Sequence, residues 1–453
     1  MKDECGIFAN YQFKQNITTC NNVINGLKKI QHRGQESCGI AFVQSNKINV
    51  YKDRGYVKDV FKKYDKLCCN ICIGHVRYST SGNYLFDEIQ PLNGINKLGE
   101  FALVHNGNIP NLETSSFKKD KIWTIDYLTD SDFLKKYIEK TEFNSWKDIL
   151  IDIMNKIPGV YSLIIMVKNS IYVLRDRHGV RPLCIGWDKN GWYVSSESCS
   201  FDKQILIRDV KPGEIIKIDN NIKTIFQHQE KKRLHCIFEY FYFSSKNSIL
   251  DGINITEVRK NFGKFLAIQE KVKFDVENTV IVGSPNSGIL AGIGYAIESG
   301  LPYKQVLVKN PNYNRSFIMP DQKSRIEVCN KKFKIDTDIV DLKNTTILLI
   351  DDSVVRGNTM KSVIKLFLDK NVKEIHIRVA APPLKHPCFF GINMPTYEEL
   401  IINNIKNYEK LAKYFGVNSI DYIKMTNVMK VMKKKNYCTA CFDGNYNKKL
   451  LNW

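Results

Sequence analysis

Short apolar runs broken by turns fill the first half of the chain. Residues 39–43, 71–74, 101–104, 161–167, 171–174 and 192–195 read as strands, and clusters such as Asp219-Asn220-Asn221 read as turns between them. Two stripes have helical spacing: Val23, Ile24, Leu27 and Ile30, then Trp146, Ile149, Leu150, Ile153, Met154 and Ile157. This part, up to about Glu230, predicts antiparallel sheets covered by helices. From about Thr256 the rhythm changes. A helix over 257–270, a strand over 279–283, a helix over 288–299 and strands over 305–308, 346–350 and 374–380 alternate as in a doubly wound parallel sheet. The charged run Gln229-Glu230-Lys231-Lys232-Arg233 separates the two patterns. Residues 309–338 are polar and poorly periodic, and a loop of that length is usually functional.

The sharpest chemistry lies where the strand Ile347-Leu348-Leu349-Ile350 runs into Asp351 and Asp352. Ligands of an open α/β sheet sit beyond the carboxyl ends of its strands. Ser353, Val354, Val355, Arg356, Gly357, Asn358 and Thr359 follow, and then a helical pattern. Hydroxyls and backbone N–H groups at a helix N-terminus suit a phosphate. Adjacent carboxylates suit a vicinal diol or a hydrated magnesium ion. Together they describe a ribose 5-phosphate. A plain helix cap after a core strand is the blander reading, but two buried carboxylates cost too much to serve as decoration.

The 453 residues allow two or three domains with real cores. Hydrophobic content of 43% and charged content of 25% are those of a soluble globular protein. No apolar run approaches the ~18 residues of a membrane span, and the start, Met1-Lys2-Asp3-Glu4-Cys5-Gly6, has no signal-peptide core. These features predict a cytoplasmic protein without a membrane partner. The net charge of +20 raises nucleic acid as a partner, but the lysines are scattered, so no nucleic-acid ligand is expected. A positive field also favours a small polyanionic substrate. Thirteen cysteines without a secretory signal predict thiols rather than disulfides.

Cys5 stands close to the start. A cysteine at a chain's N-terminus carries its own base, an α-amino group with a pKa near ~7.7–8.0, provided that residues 1–4 are removed. Three further stretches add to it: Gln31-His32-Arg33-Gly34-Gln35-Glu36-Ser37, Gly74-His75-Val76-Arg77-Tyr78-Ser79-Thr80 and His105-Asn106-Gly107-Asn108. With Cys5-Gly6-Ile7-Phe8, this series resembles the N-terminal-nucleophile glutamine amidotransferases. Arg175-Asp176-Arg177-His178-Gly179-Val180-Arg181-Pro182-Leu183 and Ser195-Ser196-Glu197 look like the same family. The run from Asp351 to Gly357 narrows the resemblance to the amidophosphoribosyltransferases, from Cys5 to about Tyr446 and in the family's order.

The resemblance implies an N-terminal-nucleophile hydrolase sandwich, αββα, over residues 5–232 after a propeptide 1–4. A type I phosphoribosyltransferase domain with a C-terminal cluster-binding segment would follow over 233–453. It implies that Cys5 attacks the glutamine carboxamide and that Asn106 and the Gly107 N–H form the oxyanion hole. Arg77 would hold the α-carboxylate of glutamine and Asp130 its α-ammonium. The family's Ser-Asp-Ser/Thr-Glu is here Thr129-Asp130-Ser131-Asp132, which leaves Asp132 as a competing carboxylate. Ammonia would pass to phosphoribosyl pyrophosphate. Asp351 and Asp352 would hold the ribose and help to place Mg²⁺, and residues 353–359 would bind the 5-phosphate.

Val282-Gly283-Ser284-Pro285-Asn286-Ser287-Gly288 resembles the family's pyrophosphate loop, with Ser287 as a contact. Asn286 stands where many members have Asp or Glu, and Gly288 where some have Ser. The segment from Lys309 and Asn310 through Arg315 and Phe317-Ile318-Met319-Pro320 resembles the catalytic loop, with Lys309 as a substrate contact. Pro311-Asn312 stands there in place of Arg-Tyr.

Cys438-Thr439-Ala440-Cys441, together with Cys236 and Cys388, offers four thiolates. They complete either a tetrahedral zinc site or a [4Fe–4S] cluster, and spacing does not choose. The resemblance does: one branch of the family binds [4Fe–4S] at these places and carries a propeptide. Cys69-Asn70-Ile71-Cys72 lies in an apolar run and predicts core packing. The family further implies feedback inhibition by purine nucleotides and a homotetramer. Ser244-Ser245-Lys246 replaces the Ala-Arg-Pro of cluster-bearing relatives, so a nucleotide-contacting arginine is absent. Two rival readings stand beside this one. One is a non-catalytic, substrate-sensing regulator that binds DNA. The other is a salvage phosphoribosyltransferase with a relic N-terminal domain.

Overall fold

A computed structural model describes residues 5–62, 67–78, 86–110, 128–202, 205–230, 232–310, 332–392, 394, 396–433 and 436–451. The first half stacks two sheets. One has seven strands in the order Leu206–Asp209, Cys184–Asp188, Gly191–Ser195, Gly6–Asn16, Cys69–Arg77, Ser37–Gln44, Lys47–Arg54. The other has six, in the order Ile222–Gln227, Glu214–Ile218, Ser170–Arg175, Val160–Val167, Gly99–Asn108, Leu92–Asn96. All described pairings within both sheets are antiparallel.

Alternation along the strands explains the layers. Ile7, Ala9, Ile71 and Ile73 face Ala102, Val104, Ile164 and Val173 in the core between the sheets. Phe8, Ile40, Phe42 and Val76 turn the other way and pack under the helix Thr18–Lys29. On the far side Phe101, Leu103, Leu163 and Ile165 pack under the helices Asp130–Lys140 and Trp146–Lys156. Helix, sheet, sheet and helix therefore stack as the predicted αββα sandwich.

The second half is built on a parallel sheet of four strands, Thr279–Gly283, Thr346–Asp351, Glu374–Val379 and Ser419–Tyr422, in that order. Both faces are buried, as expected of parallel sheets. Ile281, Leu348 and Ile350 pack against one core, and Val280, Val282, Ile347 and Leu349 against another. The helices Ile255–Ile268 and Gly288–Ser299 cover the first face and the helices Asn358–Leu368 and Tyr408–Phe415 the second.

Two expectations need correction, and one strand carried no readable pattern. The strand placed at 305–308 runs over Leu307–Lys309 and pairs antiparallel with Phe333–Ile335, outside the parallel sheet. Among the described residues, backbone pairing with that sheet is limited to one bridge, Ile281 to Tyr303, because the Gln305 side chain donates to the Gly283 carbonyl at 2.9 Å and takes up the acceptor of the next rung. The helix placed at 257–270 spans Ile255–Ile268, since Asn254 caps it by accepting from the Glu257 N–H at 3.2 Å. The strand Ser419–Tyr422 carried too short an apolar pattern to be read. Residues 1–4, and the loop positions Pro311, Asn312, Arg315 and 317–320, lie outside the described residues.

Candidate functional site

A cavity of about 250 Å³ opens where the two halves meet, and Cys5, Arg77, Asn106, Gly107 and Asp130 all line it. Cys5 is half-buried just before the central strand Gly6–Asn16. The next strand, Cys69–Arg77, ends on Arg77, which donates to Glu88 in the cavity wall. Arg77 is therefore an inward-facing member of an ion pair. Asn106 and Gly107 close the strand Gly99–Asn108, and the Asn106 amide donates to Ser196 Oγ at 3.4 Å. Ser196 Oγ also accepts from the Ile7 N–H at 3.0 Å, so one hydroxyl ties the amide to the strand that follows Cys5. Gly107 admits no side chain, because a Cβ there would stand 2.0 Å from the Val160 carbonyl oxygen.

Asp130 opens the helix Asp130–Lys140 and accepts from the N–H groups of Ile109 at 3.2 Å and Ser131 at 2.8 Å. Asp132 does not line the cavity and is engaged by Lys136 at 3.0 Å.

Sequence reasoning missed the frame that holds these groups. Gln90 accepts from the His105 N–H at 2.6 Å and donates to Ser131 Oγ at 3.1 Å, while His105 Nδ1 meets the same hydroxyl at 2.9 Å. Strand and helix are thereby locked together. Burial, and then the neighbouring Arg77, push the His75 imidazole down to about 3, and burial lowers His105 as well. Both rings act as neutral struts. Arg181 and Gly391 also line the cavity, and Gly391 belongs to the second half. The backbone beside it is clamped across the junction: the Asn108 amide donates to the Phe389 carbonyl at 2.8 Å, and Arg181 donates to the Phe390 carbonyl.

The second cluster of predicted residues lies at the carboxyl edge of the parallel sheet. Asp351 and Asp352 are 7% and 5% exposed. Burial first, and then the Asp352 charge, hold the Asp351 carboxyl well above the usual carboxylate range. Ser287 Oγ donates to Asp352 at 2.6 Å and Ser353 Oγ at 2.9 Å, so the 284–288 loop and the 353–357 loop meet at this carboxylate. Gly357, with φ +80°, precedes the helix Asn358–Leu368 and leaves Asn358 and Thr359 in its first turn. A side chain at Gly357 would meet Ile401 at 2.8 Å. Val354 and Val355 bury their side chains in the two cores, which leaves only their backbone for a ligand. Arg356 pairs with Glu399 and lines a separate cavity of about 410 Å³. Lys309 ends its short strand just before the undescribed segment.

Cys236, Cys388, Cys438 and Cys441, from three separate stretches of the chain, lie near one another in the second half. Cys236 pairs in register with Cys438 across a two-strand parallel ladder, and Cys441 is the second residue of the short helix Ala440–Asp443. Burial drives the Cys441 thiol well above its usual range, and the charges of Cys388, Cys438 and Cys236 add to that effect. Cys388 Sγ accepts from the Phe390 N–H at 3.4 Å. Phe238, Phe241 and Phe442 pack ring against ring around the group. Among the described residues, no three His, Cys, Asp or Glu side chains gather closely enough to hold one metal ion. Cys69 and Cys72, by contrast, are wholly buried in the sandwich, in line with their reading as core residues.

Comparison with known proteins agrees with this geometry. Residues 75–203 match the family model of a glutamine amidotransferase domain. The chain is 34% identical to the amidophosphoribosyltransferase of Methanocaldococcus jannaschii, over 98% of this chain and 97% of that one. It is 33% identical to that of Bacillus subtilis, over 98% and 94%. The solved B. subtilis glutamine phosphoribosylpyrophosphate amidotransferase, in complex with ADP and GMP, superposes with a TM-score of 0.86 at 32% identity, over 98% and 97% of the two chains. A structure described as the allosteric regulatory enzyme of purine biosynthesis superposes with a TM-score of 0.87 at 32% identity, over 98% and 96%. A cavity lined by Cys5 in an antiparallel sandwich, joined to a carboxylate pair at the edge of a parallel sheet, thus accompanies full-length similarity, and the chain belongs to the amidophosphoribosyltransferase family, the glutamine-dependent enzymes of the first step of purine biosynthesis.

Proposed function

We propose that Cys5 is the glutaminase nucleophile once residues 1–4 are removed, its new α-amino group taking the thiol proton. The sulfur adds to the glutamine carboxamide carbon. The Asn106 side chain and the Gly107 N–H receive the charge that develops on oxygen. Ammonia departs, and water cleaves the thioester to glutamate and free Cys5. Arg77 pairs with the substrate carboxylate and Asp130 with its ammonium. Asp130 takes that role in preference to Asp132 because Asp130 lines the cavity and Lys136 occupies Asp132. The observation that carries this reading is the convergence of Cys5, Arg77, Asn106, Gly107 and Asp130 on one cavity.

In the second step the ammonia nitrogen attacks C1 of phosphoribosyl pyrophosphate, the bond to pyrophosphate breaks, and 5-phosphoribosylamine forms with loss of a proton. Asp351 and Asp352 bind the ribose hydroxyls. Ser353, Asn358, Thr359 and the backbone of Val354 to Gly357 bind the 5-phosphate, as suits a helix N-terminus. Ser287 and Lys309 face the pyrophosphate. The paired carboxylates fit Mg²⁺, which needs few protein ligands when substrate phosphates supply the rest. It would neutralise charge on the leaving group.

Cys236, Cys388, Cys438 and Cys441 would hold a structural [4Fe–4S] cluster, in which each iron takes one thiolate, so thiols too widely spaced to share a single ion still suit it. An aromatic shell and an N–H directed at Cys388 Sγ support the reading. Residues 5–232 and 233–453 form the two domains of this reading, which extends to a cytoplasmic homotetramer inhibited by purine nucleotides. The B. subtilis structure, held with ADP and GMP, supports the last point. Among the described residues no helix is long and apolar enough to cross a membrane.

Cys5→Ala tests the assignment. Glutamine-dependent formation of phosphoribosylamine should vanish while the ammonia-dependent reaction persists. Unchanged use of glutamine would refute it. Intact mass and the visible spectrum of anaerobically purified protein test processing and cluster together. Loss of residues 1–4 and a brown chromophore are expected, and a colourless protein without iron would exclude the cluster.

A further inference from the structure

Arg33 is among the largest wholly buried side chains, and it does not line the glutamine cavity. Its Nε donates to the Cys5 carbonyl at 3.1 Å. One terminal nitrogen reaches Glu197 at 2.7 Å and Glu239 at 3.0 Å, and the other reaches Glu239 at 2.8 Å. Glu239 opens the short helix Glu239–Phe243, at the start of the second half. The fork from Arg33 therefore crosses from the nucleophile's backbone to the interdomain segment.

Both acids are fixed from other sides as well. Glu197 accepts from Ser248 Oγ at 2.6 Å and the Ser245 N–H at 2.8 Å. Glu239 accepts from Ser244 Oγ at 2.7 Å, and the Ser244 carbonyl accepts from Arg259 at 2.7 Å. Arg259 lies on the helix Ile255–Ile268 that covers the parallel sheet. A second buried cation, Arg181, stands 3.8 Å from Glu239, so two guanidinium groups face two carboxylates. Such a network is rigid while complete and costly when one member is lost.

We infer that Arg33 is a positioning residue for the glutaminase step, holding the Cys5 backbone in register from a buried ion network anchored through Glu239 in the phosphoribosyl half. Cys5 has to aim its thiol at the carboxamide carbon while its amine stays within reach of the thiol proton, and both groups turn with the Cα that its carbonyl anchors. A misplacement of about 1 Å at a reacting group costs on the order of 10²-fold. The inference rests on the assignment of Cys5 as nucleophile.

The test uses Arg33→Lys, which keeps the charge but cannot fork, and Glu239→Gln, which keeps the shape but weakens the bidentate pair. The expected result for both is a fall of about 10²-fold in glutamine-dependent kcat, with KM for glutamine within about twofold of the parent. Ammonia-dependent synthesis should be retained, and alkylation of Cys5 by a diazoketone analogue of glutamine should slow in parallel with kcat. Parent-like kcat and labelling in both variants would overturn the inference. So would an equal loss of glutamine- and ammonia-dependent rates, which would mark a purely structural role. A parent enzyme that uses ammonia but not glutamine would instead refute the Cys5 assignment.

Discussion

A single missing side chain shapes the strand that carries Asn106. At Gly107 a methyl group would press into the Val160 carbonyl, so the strand would have to shift and carry Asn106 with it. Gly107→Ala should lower glutamine-dependent kcat by about 10²–10³-fold, the scale of losing one oxyanion donor, with ammonia-dependent turnover retained. Steady-state assays with the two nitrogen donors decide this. The carboxylates at the head of the neighbouring helix should separate as cleanly. Asp130→Asn should raise KM for glutamine at least about tenfold, the effect of losing a charged partner, and Asp132→Asn should leave it within about twofold. Cys5, Arg77, Asn106 and Asp130 were legible because each sits in a compact motif. Glu88, Gln90 and Ser131 were not, because their importance lies in hydrogen bonds between segments that are remote in the chain.

Helices and strands impose their own constraints. The helices Ile255–Ile268 and Gly288–Ser299 cross at reciprocal glycines. A Cβ at Gly263 would stand 1.8 Å from the Ala291 oxygen, and one at Gly294 would stand 1.9 Å from the Lys260 oxygen. Gly294→Ala should cost about 1–3 kcal/mol in urea unfolding, as overpacking does. The Ile255–Ile268 helix is also tied to the sheet at its far end, where Arg378 grips Glu270 with contacts of 2.5 and 2.9 Å. Burial alone would raise the Glu270 carboxyl, but the Arg378 hydrogen bonds and charge outweigh it and bring it down to about 2. Its stabilising effect is therefore complete above about 4.3, the unfolded value, and fades as pH falls from there towards 2. Thermal melts of Glu270→Gln against the parent should differ most near neutrality and converge only below about pH 2. Periodicity located the strand Thr279–Gly283 and the helix Gly288–Ser299 to the residue, because apolar spacing and flanking glycines coincide there. It misplaced the 305–308 strand because a side-chain amide, invisible to periodicity, stops the pairing.

Across the whole molecule, buried charge marks the seam between the halves. Arg175, wholly buried in the first half, forks onto Asp251 in the second at 2.9 and 3.2 Å. Burial opposes ionisation of Asp251, yet the neighbouring Arg175 and His235 hold its carboxyl far below the usual range. Asp251→Asn leaves that arginine uncompensated and should cost about 3–5 kcal/mol, read from the urea midpoint and slope. Sequence showed a charged run at the boundary but not this seam, since the Arg-Asp-Arg-His-Gly-Val-Arg motif names neither Asp251 nor Glu239 as a counterion. The seam also bears on how such a protein can be rearranged. Three arginines of the first half, Arg33, Arg175 and Arg181, find carboxylates only partly within it and otherwise in the second. A gene cut between the domains would therefore not yield two interchangeable cassettes. The amino-terminal product would hold unmet positive charge and an unfinished cavity wall, so inheritance and engineering alike have to treat the two catalytic units as one piece.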